Sequence, residues 1–288
     1  MQKDDAMLIL YFSGTGNTKY IAELFSGKTG ARCMSIEDEA GFFNEEIRSE
    51  IQLNETIVFC YPIYGSRVPL IMRQFAAKYI DFLRGKKIII LVTQVAFSGD
   101  GARAFCDLFP KDHIQVVYAE HFSMPNNVCN FPSPKRAGTK TVQRRLRTAE
   151  KKMDRICRDL KEDIVKKRGF STGSRILGSI QGKPWQGNSK NAFAAENTME
   201  HRAKHGVRIG GDCVICNICV ERCPMGNLEN RQGAISHKGN CTVCYRCVNL
   251  CPQKAITTFI HRKPRRQYKG IAEILGSKQS KENPRRNG

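Results

Sequence analysis

The chain has 288 residues and a formal net charge of +20, long enough for one full-sized domain and a smaller one. Its longest apolar runs, such as 88–92, are far too short to cross a bilayer, which excludes a helical membrane span. It begins Met1-Gln2-Lys3-Asp4-Asp5 with no signal-peptide pattern, so its thirteen cysteines are expected to stay reduced in the cytoplasm rather than form a disulfide framework.

In chain order, residues 7–12 form an unbroken apolar run, as expected for a parallel strand covered on both faces. The run ends in Ser13-Gly14-Thr15-Gly16-Asn17-Thr18, after which Tyr20, Ile21, Leu24 and Phe25 recur at helical spacing. Strand, hydroxyl- and glycine-rich turn and helix start make a phosphate cradle: glycines let the backbone approach, and free helix N–H groups point outward. The turn has neither the nucleoside-triphosphatase pattern nor the Gly-x-Gly-x-x-Gly order of dinucleotide folds. No Arg or Lys precedes Lys19 within it, so hydroxyls and amides must carry the binding of a phosphate monoester.

Further strands are predicted at 31–35, 56–61, 87–93 and 114–119, with helical patterns between most of them. The expected fold is an α/β, doubly wound, five-stranded parallel sheet that binds its ligand at the carboxyl ends of the strands. Two loops fall at that edge, 62–69 and 94–101. Residues 141–168 read as one amphipathic helix, with Val142, Leu146, Ala149, Met153, Ile156, Leu160 and Ile164 on one face and arginines and lysines opposite. Residues 170–205, rich in Gly, Ser, Asn and Gln and holding the only tryptophan, Trp185, read as a partly ordered connection.

The loop resembles the phosphate loop of flavodoxins, Ser/Thr-x-Thr-Gly-x-Thr, with Ser13, Thr15, Gly16 and Thr18 at its fixed positions. That resemblance implies FMN held by Ser13, Thr15, Gly16, Asn17 and Thr18. It also places Tyr64 and Gly65 of one edge loop, and Phe97, Ser98 and Gly99 of the other, beside the isoalloxazine ring. Tyr and Phe after a strand are also common as ordinary packing.

Eight cysteines then fall in two copies of one string, Cys213-x2-Cys216-x2-Cys219-x3-Cys223-Pro224 and Cys241-x2-Cys244-x2-Cys247-x3-Cys251-Pro252, repeating after 28 residues. This is the run that holds paired 4Fe–4S clusters, in which the distal cysteine of each run ligates the other run's cube. Cys213, Cys216, Cys219 and Cys251 are therefore expected to hold one cluster, and Cys241, Cys244, Cys247 and Cys223 the second. Structural zinc is the competing reading, although zinc knuckles pair two shorter Cys-x2-Cys units across a spacer. Ala234-Ile235 and Ala255-Ile256 follow the runs as if each half gave one strand to a shared wall. The other cysteines, Cys33, Cys60, Cys106, Cys129 and Cys157, have no ligand spacing.

The arrangement resembles fusions of a flavodoxin-like domain with a small α+β, bacterial-type two-cluster ferredoxin domain. The expected organisation is 1–168 for the flavin domain, 169–205 for a linker, 206–260 for the cluster domain and 261–288 for a basic tail. The resemblance implies an electron-transfer protein of anaerobic metabolism, relaying electrons between FMN, two 4Fe–4S clusters and soluble redox partners, and more an electron carrier than a substrate-converting enzyme. The alternative is a flavin-dependent reductase of a small substrate with the clusters as electron input, for which His113 and His121 are the nearest candidate proton donors.

Charge is uneven: residues 1–125 carry −2, 126–210 carry +13, 211–260 carry +2 and 261–288 carry +7. Basic segments attract acidic redox proteins, nucleic acid or anionic lipid, or are simply solvated. No helix-turn-helix, zinc-finger or RNA-binding signature supports nucleic acid, so acidic redox proteins are the expected partners.

Overall fold

The computed structural model describes residues 6–37, 44–97, 99–130, 138–186, 198–271 and 273–274. Its first half is built on β1 (Met7–Tyr11), β2 (Arg32–Ser35), β3 (Thr56–Pro62), β4 (Lys87–Gln94) and β5 (Gln115–Ser123), all parallel. Side chains alternate between the two faces. Leu8, Leu10, Ile57, Phe59, Ile88 and Ile90 enter one core with α2 (Glu45–Leu53) and α3 (Leu70–Lys78). Ile9, Val58, Cys60, Ile89 and Leu91 enter a second core with α1 (Asn17–Thr29) and α4 (Thr139–Lys161). Because both faces are covered, the strands are continuous apolar runs, which is why they were legible.

The sheet has six strands, not five, in the order β2-β1-β3-β4-β5-β6. The extra strand, β6 (Lys166–Lys167), pairs with Tyr118 and Ala119 of β5. The helix expected over 141–168 stops at Lys161, where Asp163 takes φ 51° and Ile164 N–H donates to the Asp159 carbonyl at 2.8 Å. The Asp159 carboxylate accepts from Tyr118 OH at 2.6 Å and pairs with Lys166 Nζ at 2.8 Å, pinning the returning chain to the sheet edge. Two charged residues give no strand periodicity, so this element had no sequence signal.

Past β6 the connection is more structured than its composition implied. It carries α5 (Thr172–Gln186) and α6 (Met199–His205). The cysteine-rich half follows with β7 (Arg208–Ile209), α7 (Ile218–Glu221), β8 (Leu228–Arg231), β9 (Ala234–His237), α8 (Arg246–Leu250) and β10 (Ile256–Thr257). The wall expected from Ala234-Ile235 and Ala255-Ile256 is split between two sheets, β8–β9 and β7–β10, both antiparallel. Ile235 and Ile256 nonetheless share one core with Trp185, Val207, Leu228, Tyr245 and Val248.

The two halves are locked together. Arg73 of α3 and Glu200 of α6 form a buried ion pair at 2.8 Å, and Arg73 also donates to the Val68 carbonyl at 2.6 Å. Ile71 N–H donates to Thr242 Oγ1 at 3.3 Å. In the tail, residues 270–271 and 273–274 are helical.

Candidate functional site

β1 delivers Ser13–Thr18 to the carboxyl edge of the sheet, and Gly16, at φ 95°, caps α1 with no side-chain hydrogen bond and no acid in the first turn. An uncapped helix start directs unpaired amides and the positive end of the helix dipole at the loop. Within the loop, Gly16 N–H donates to Ser13 Oγ at 3.1 Å. Thr18 Oγ1 is buried against Thr93 Oγ1 of β4 at 2.8 Å, so this hydroxyl faces inward. Asn17 donates to the Pro125 carbonyl at 2.8 Å and accepts from Tyr268 OH at 2.6 Å.

The loop lies between two cavities. One, of about 90 Å³, is lined by Thr15, Asn17, Thr18, Tyr64 and Gln94. Tyr64 OH and Gln94 Oε1 are buried in it without hydrogen-bond partners. The other is a cleft of about 640 Å³ between the sheet edge and the cysteine-rich half. Tyr11, Ser13–Gly16 and Glu37 form one wall, and Ile218, Arg222, Arg246, Leu250 and Tyr268 the other, with Lys19 and Lys269 adding positive charge. Small-ligand sites run to roughly 300–1,000 Å³, so only the cleft has room for a flavin-sized molecule.

Arg246 closes the base of the cleft. Its Nε donates to the Gly14 carbonyl at 2.9 Å, Nη2 to the Ser13 carbonyl at 2.8 Å and to Glu37 Oε1 at 2.7 Å, and Nη1 to the Arg222 carbonyl at 3.2 Å. Gly14 is required here: a Cβ on it would lie 2.5 Å from the Cys244 carbonyl oxygen. Arg246, Glu37, Tyr268 and Lys269 were not foreseen. The available signal was the repeat itself, since Arg246 stands where the first run has Ile218.

The residues expected around the ring do not gather. Tyr64 lines the smaller cavity, and Ser98 lies outside the described residues. Phe97 is 75% exposed. Gly65 and Gly99 are packed under α5: a Cβ on Gly65 would lie 2.5 Å from Trp185 Cγ, and one on Gly99 2.6 Å from Gly178 Cα. Arg67 donates to the Gly178 carbonyl at 3.3 Å, and Ser66 hydrogen-bonds Gln181, so α5 is fastened over both edge loops. His113 and His121 are buried away from the cleft. His113 Nε2 meets the Ile80 carbonyl at 2.7 Å, and burial, with Arg168 nearby, pushes the His121 imidazole down to about 4.

All thirteen cysteines are free. Burial raises the Cys219 and Cys247 thiols, and neighbouring thiols add to it: Cys213, Cys251 and Cys216 for Cys219. For Cys247 they are Cys244, Cys241 and Cys223, with a smaller effect from Cys219. Burial and the neighbouring thiols push Cys241 up to about 12 and burial pushes Cys244 up to about 11, with Arg246 opposing the latter. Backbone amides aim at the sulfurs: Asn227 N–H at Cys223, Val243 N–H at Cys241 and Ala255 N–H at Cys251, each at 3.3 Å. Among the described residues, no three His, Cys, Asp or Glu side chains converge on a point that would hold a single metal ion.

The backbone repeats with the sequence. Ile215, Asn217 and Gly226 have φ 55°, 60° and 54°, and their counterparts 28 residues on, Val243, Tyr245 and Lys254, have 59°, 63° and 53°. β-Branched residues avoid this region at a cost of roughly 1–2 kcal/mol each, so its occurrence at both Ile215 and Val243 is strain retained in duplicate. Left-handed residues in a tight loop turn successive N–H groups inward, forming a concavity for an anionic group such as a phosphate or an iron–sulfur cluster.

The Flavodoxin_5 family model, described as a flavodoxin domain, matches residues 8–163. Solved structures similar to this chain include the flavodoxin, WrbA-like protein from Agrobacterium tumefaciens, with 17% identity, coverage of 56% of this chain and 99% of that one, and a TM-score of 0.38. General stress protein 14 from Treponema denticola, in complex with FMN, has 13% identity, coverage of 55% and 99%, and a TM-score of 0.39. Trp repressor binding protein from Bacillus subtilis has 14% identity, coverage of 50% and 96%, and a TM-score of 0.36. No curated protein matches the chain. No helix among the described residues is long and apolar enough to cross a membrane.

Proposed function

This chain belongs to the flavodoxin domain family over residues 8–163, and on that premise we propose that it is an electron-transfer flavoprotein with one FMN and two 4Fe–4S clusters. The observation that supports the reading is the duplicated cysteine spacing on a backbone strained alike in both copies, in which the thiols of Cys213, Cys216 and Cys251 act on Cys219 and those of Cys241, Cys244 and Cys223 on Cys247. A cube takes one thiolate per iron, so its ligands need not converge on a single point as zinc ligands must. Thiols that resist ionisation when buried together become favourable ligands once a cation compensates them. On this reading residues 206–260 are the cluster domain, 1–168 the flavin domain, 169–205 the connection and 261–288 the tail.

The proposed phosphate seat is Ser13, Thr15 and Gly16 with the backbone amides of Asn17 and Thr18 at the uncapped start of α1, with Lys19, Arg246 and Lys269 balancing the charge. The ring then takes the 640 Å³ cleft rather than the space beside Gly65 and Gly99, which α5 occupies. Bound together, the flavin supplies two-electron chemistry and each cube one-electron chemistry. The chain's part is positional. The wall of the cleft formed by Ile218, Arg222, Arg246 and Leu250 belongs to the two helical turns that carry Cys219 and Cys247, so both cysteine runs pack against the cleft that the loop borders. The amides aimed at Cys223, Cys241 and Cys251, and Arg246 beside Cys244 and Cys223, would favour the more negative, reduced state of a cluster held by those thiols.

The test is purification of the full chain with oxygen excluded, followed by counts of iron, sulfide and flavin and an absorbance spectrum. Two cubes and one FMN per chain are expected. Zinc in place of iron, or a colourless protein, refutes the reading.

A further inference from the structure

The two cysteine runs are copies, but their surroundings differ. In the second run Thr242 and Val243 are each 4% exposed and Cys244 is buried, because this loop is pressed onto α3 and Gly14. The matching residues of the first run, Val214 and Ile215, are 60% and 38% exposed, and Cys216 is exposed. A single exposed valine is unremarkable. Here two adjacent apolar side chains flank an exposed thiol, on a loop held in a strained conformation.

A cationic strap runs beside this loop. Lys263 Nζ pairs with Asp212, the residue before Cys213, at 2.6 Å. Gln267 Nε2 donates to the Val248 and Cys251 carbonyls at 3.0 and 2.5 Å, and Lys254 Nζ donates to the Arg265 carbonyl at 3.1 Å. Residues 261–267 therefore pass both ends of the first cysteine set while Arg262, Lys263, Arg265 and Arg266 remain exposed. Asp212, the acid on this face, is neutralised by Lys263, and Glu221 lines the cleft instead.

Resting on the iron–sulfur reading above, we propose that loop 214–216 and the cationic strap are the docking face for an acidic one-electron carrier protein. The exposed apolar pair gives the dry centre and the arginines and lysines the steering rim. The buried second set then serves only inside the molecule, between the cleft and the first set. In the complex one electron crosses between the carrier's centre and the first set's cluster; one centre is oxidised by one electron, the other reduced by one, with no bond made or broken and no proton moved.

The test uses the anaerobically purified full chain, with iron and sulfide counted on every sample. It is titrated by calorimetry with a plant-type 2Fe–2S ferredoxin as the acidic probe and cytochrome c as the basic one, at low and at physiological ionic strength. The acidic probe is expected to bind, more weakly as salt rises, and the basic probe not to bind. Val214→Glu and Lys263→Glu should each weaken binding by about tenfold or more with iron content unchanged, a factor of ten being about 1.4 kcal/mol. Arg147→Glu, on the exposed face of α4, should leave binding unchanged. Equal binding of the basic probe, an unaffected Val214→Glu, no binding by the iron-loaded chain, or equal damage from Arg147→Glu overturns the docking face alone. A wild-type chain without iron and sulfide overturns the reading beneath it as well.

Discussion

Arg246→Met removes the guanidinium that joins the phosphate-type loop to the second cysteine run. The side chain is 18% exposed and makes hydrogen bonds to three carbonyls plus an ion pair with Glu37, which is itself 18% exposed. A hydrogen bond from a charged donor contributes about 1.5–3 kcal/mol net, but four contacts from one fork do not add. Breaking a largely buried pair costs about 3–5 kcal/mol, and that is the expected loss of unfolding free energy. At roughly 2–4 °C per kcal/mol for a domain of this size class, the midpoint falls by about 6–20 °C. Anaerobic urea unfolding followed by Trp185, the only tryptophan and a member of the cysteine-rich core, reads the loss directly. Arg246→Lys keeps the charge without the fork and should fall between the two. A loss below about 1 kcal/mol for Arg246→Met would show that the loop and the cysteine run are held together by something else.

Gly14→Ala puts a methyl 2.5 Å from the Cys244 carbonyl oxygen, and such overpacking typically costs about 1–3 kcal/mol; a stability equal to wild type in the same urea experiment would contradict the close approach. His121 is held at about 4 against its usual 6.5, so the unfolded chain takes up its proton first; its contribution is complete above pH 6.5 and is lost as pH falls towards 4, by about 3 kcal/mol, and His121→Gln should flatten that part of the stability–pH profile. Cys251→Ser and Cys223→Ser should each deplete one cluster and spare the other, with paramagnetic resonance showing a different surviving signal in each; identical spectra would reject the exchanged pairing. Glu200→Ala strips the carboxylate from buried Arg73 and should cost about 3–5 kcal/mol, whereas the Arg73→Met/Glu200→Leu double variant should recover most of it; a double variant as unstable as the single one would count against the ion pair as the cause.

The covered strands, the loop Ser13–Thr18 and the duplication of the cysteine run could be read directly, because each is a local pattern: a continuous apolar run, a turn chemistry, or a cysteine spacing within a dozen residues. What escaped is non-local. β6 exists only because Asp159 on α4 is positioned to receive Tyr118 and Lys166. The edge loops 62–69 and 94–101 were read as a ring seat, yet Gly65 and Gly99 meet Trp185 and Gly178 from a helix about a hundred positions away.

By itself the sequence determined that this chain has a doubly wound α/β half and a duplicated eight-cysteine segment, since apolar runs and cysteine spacing are patterns of a few residues. Tertiary structure alone decided which copy of that duplication is buried. Val214 and Thr242 occupy equivalent positions, and local hydropathy would bury the valine, yet it is the threonine that is buried. Only the docking of Cys244 on Gly14, with Arg246 reaching back 232 positions to the loop carbonyl, desolvates one run and leaves the other open.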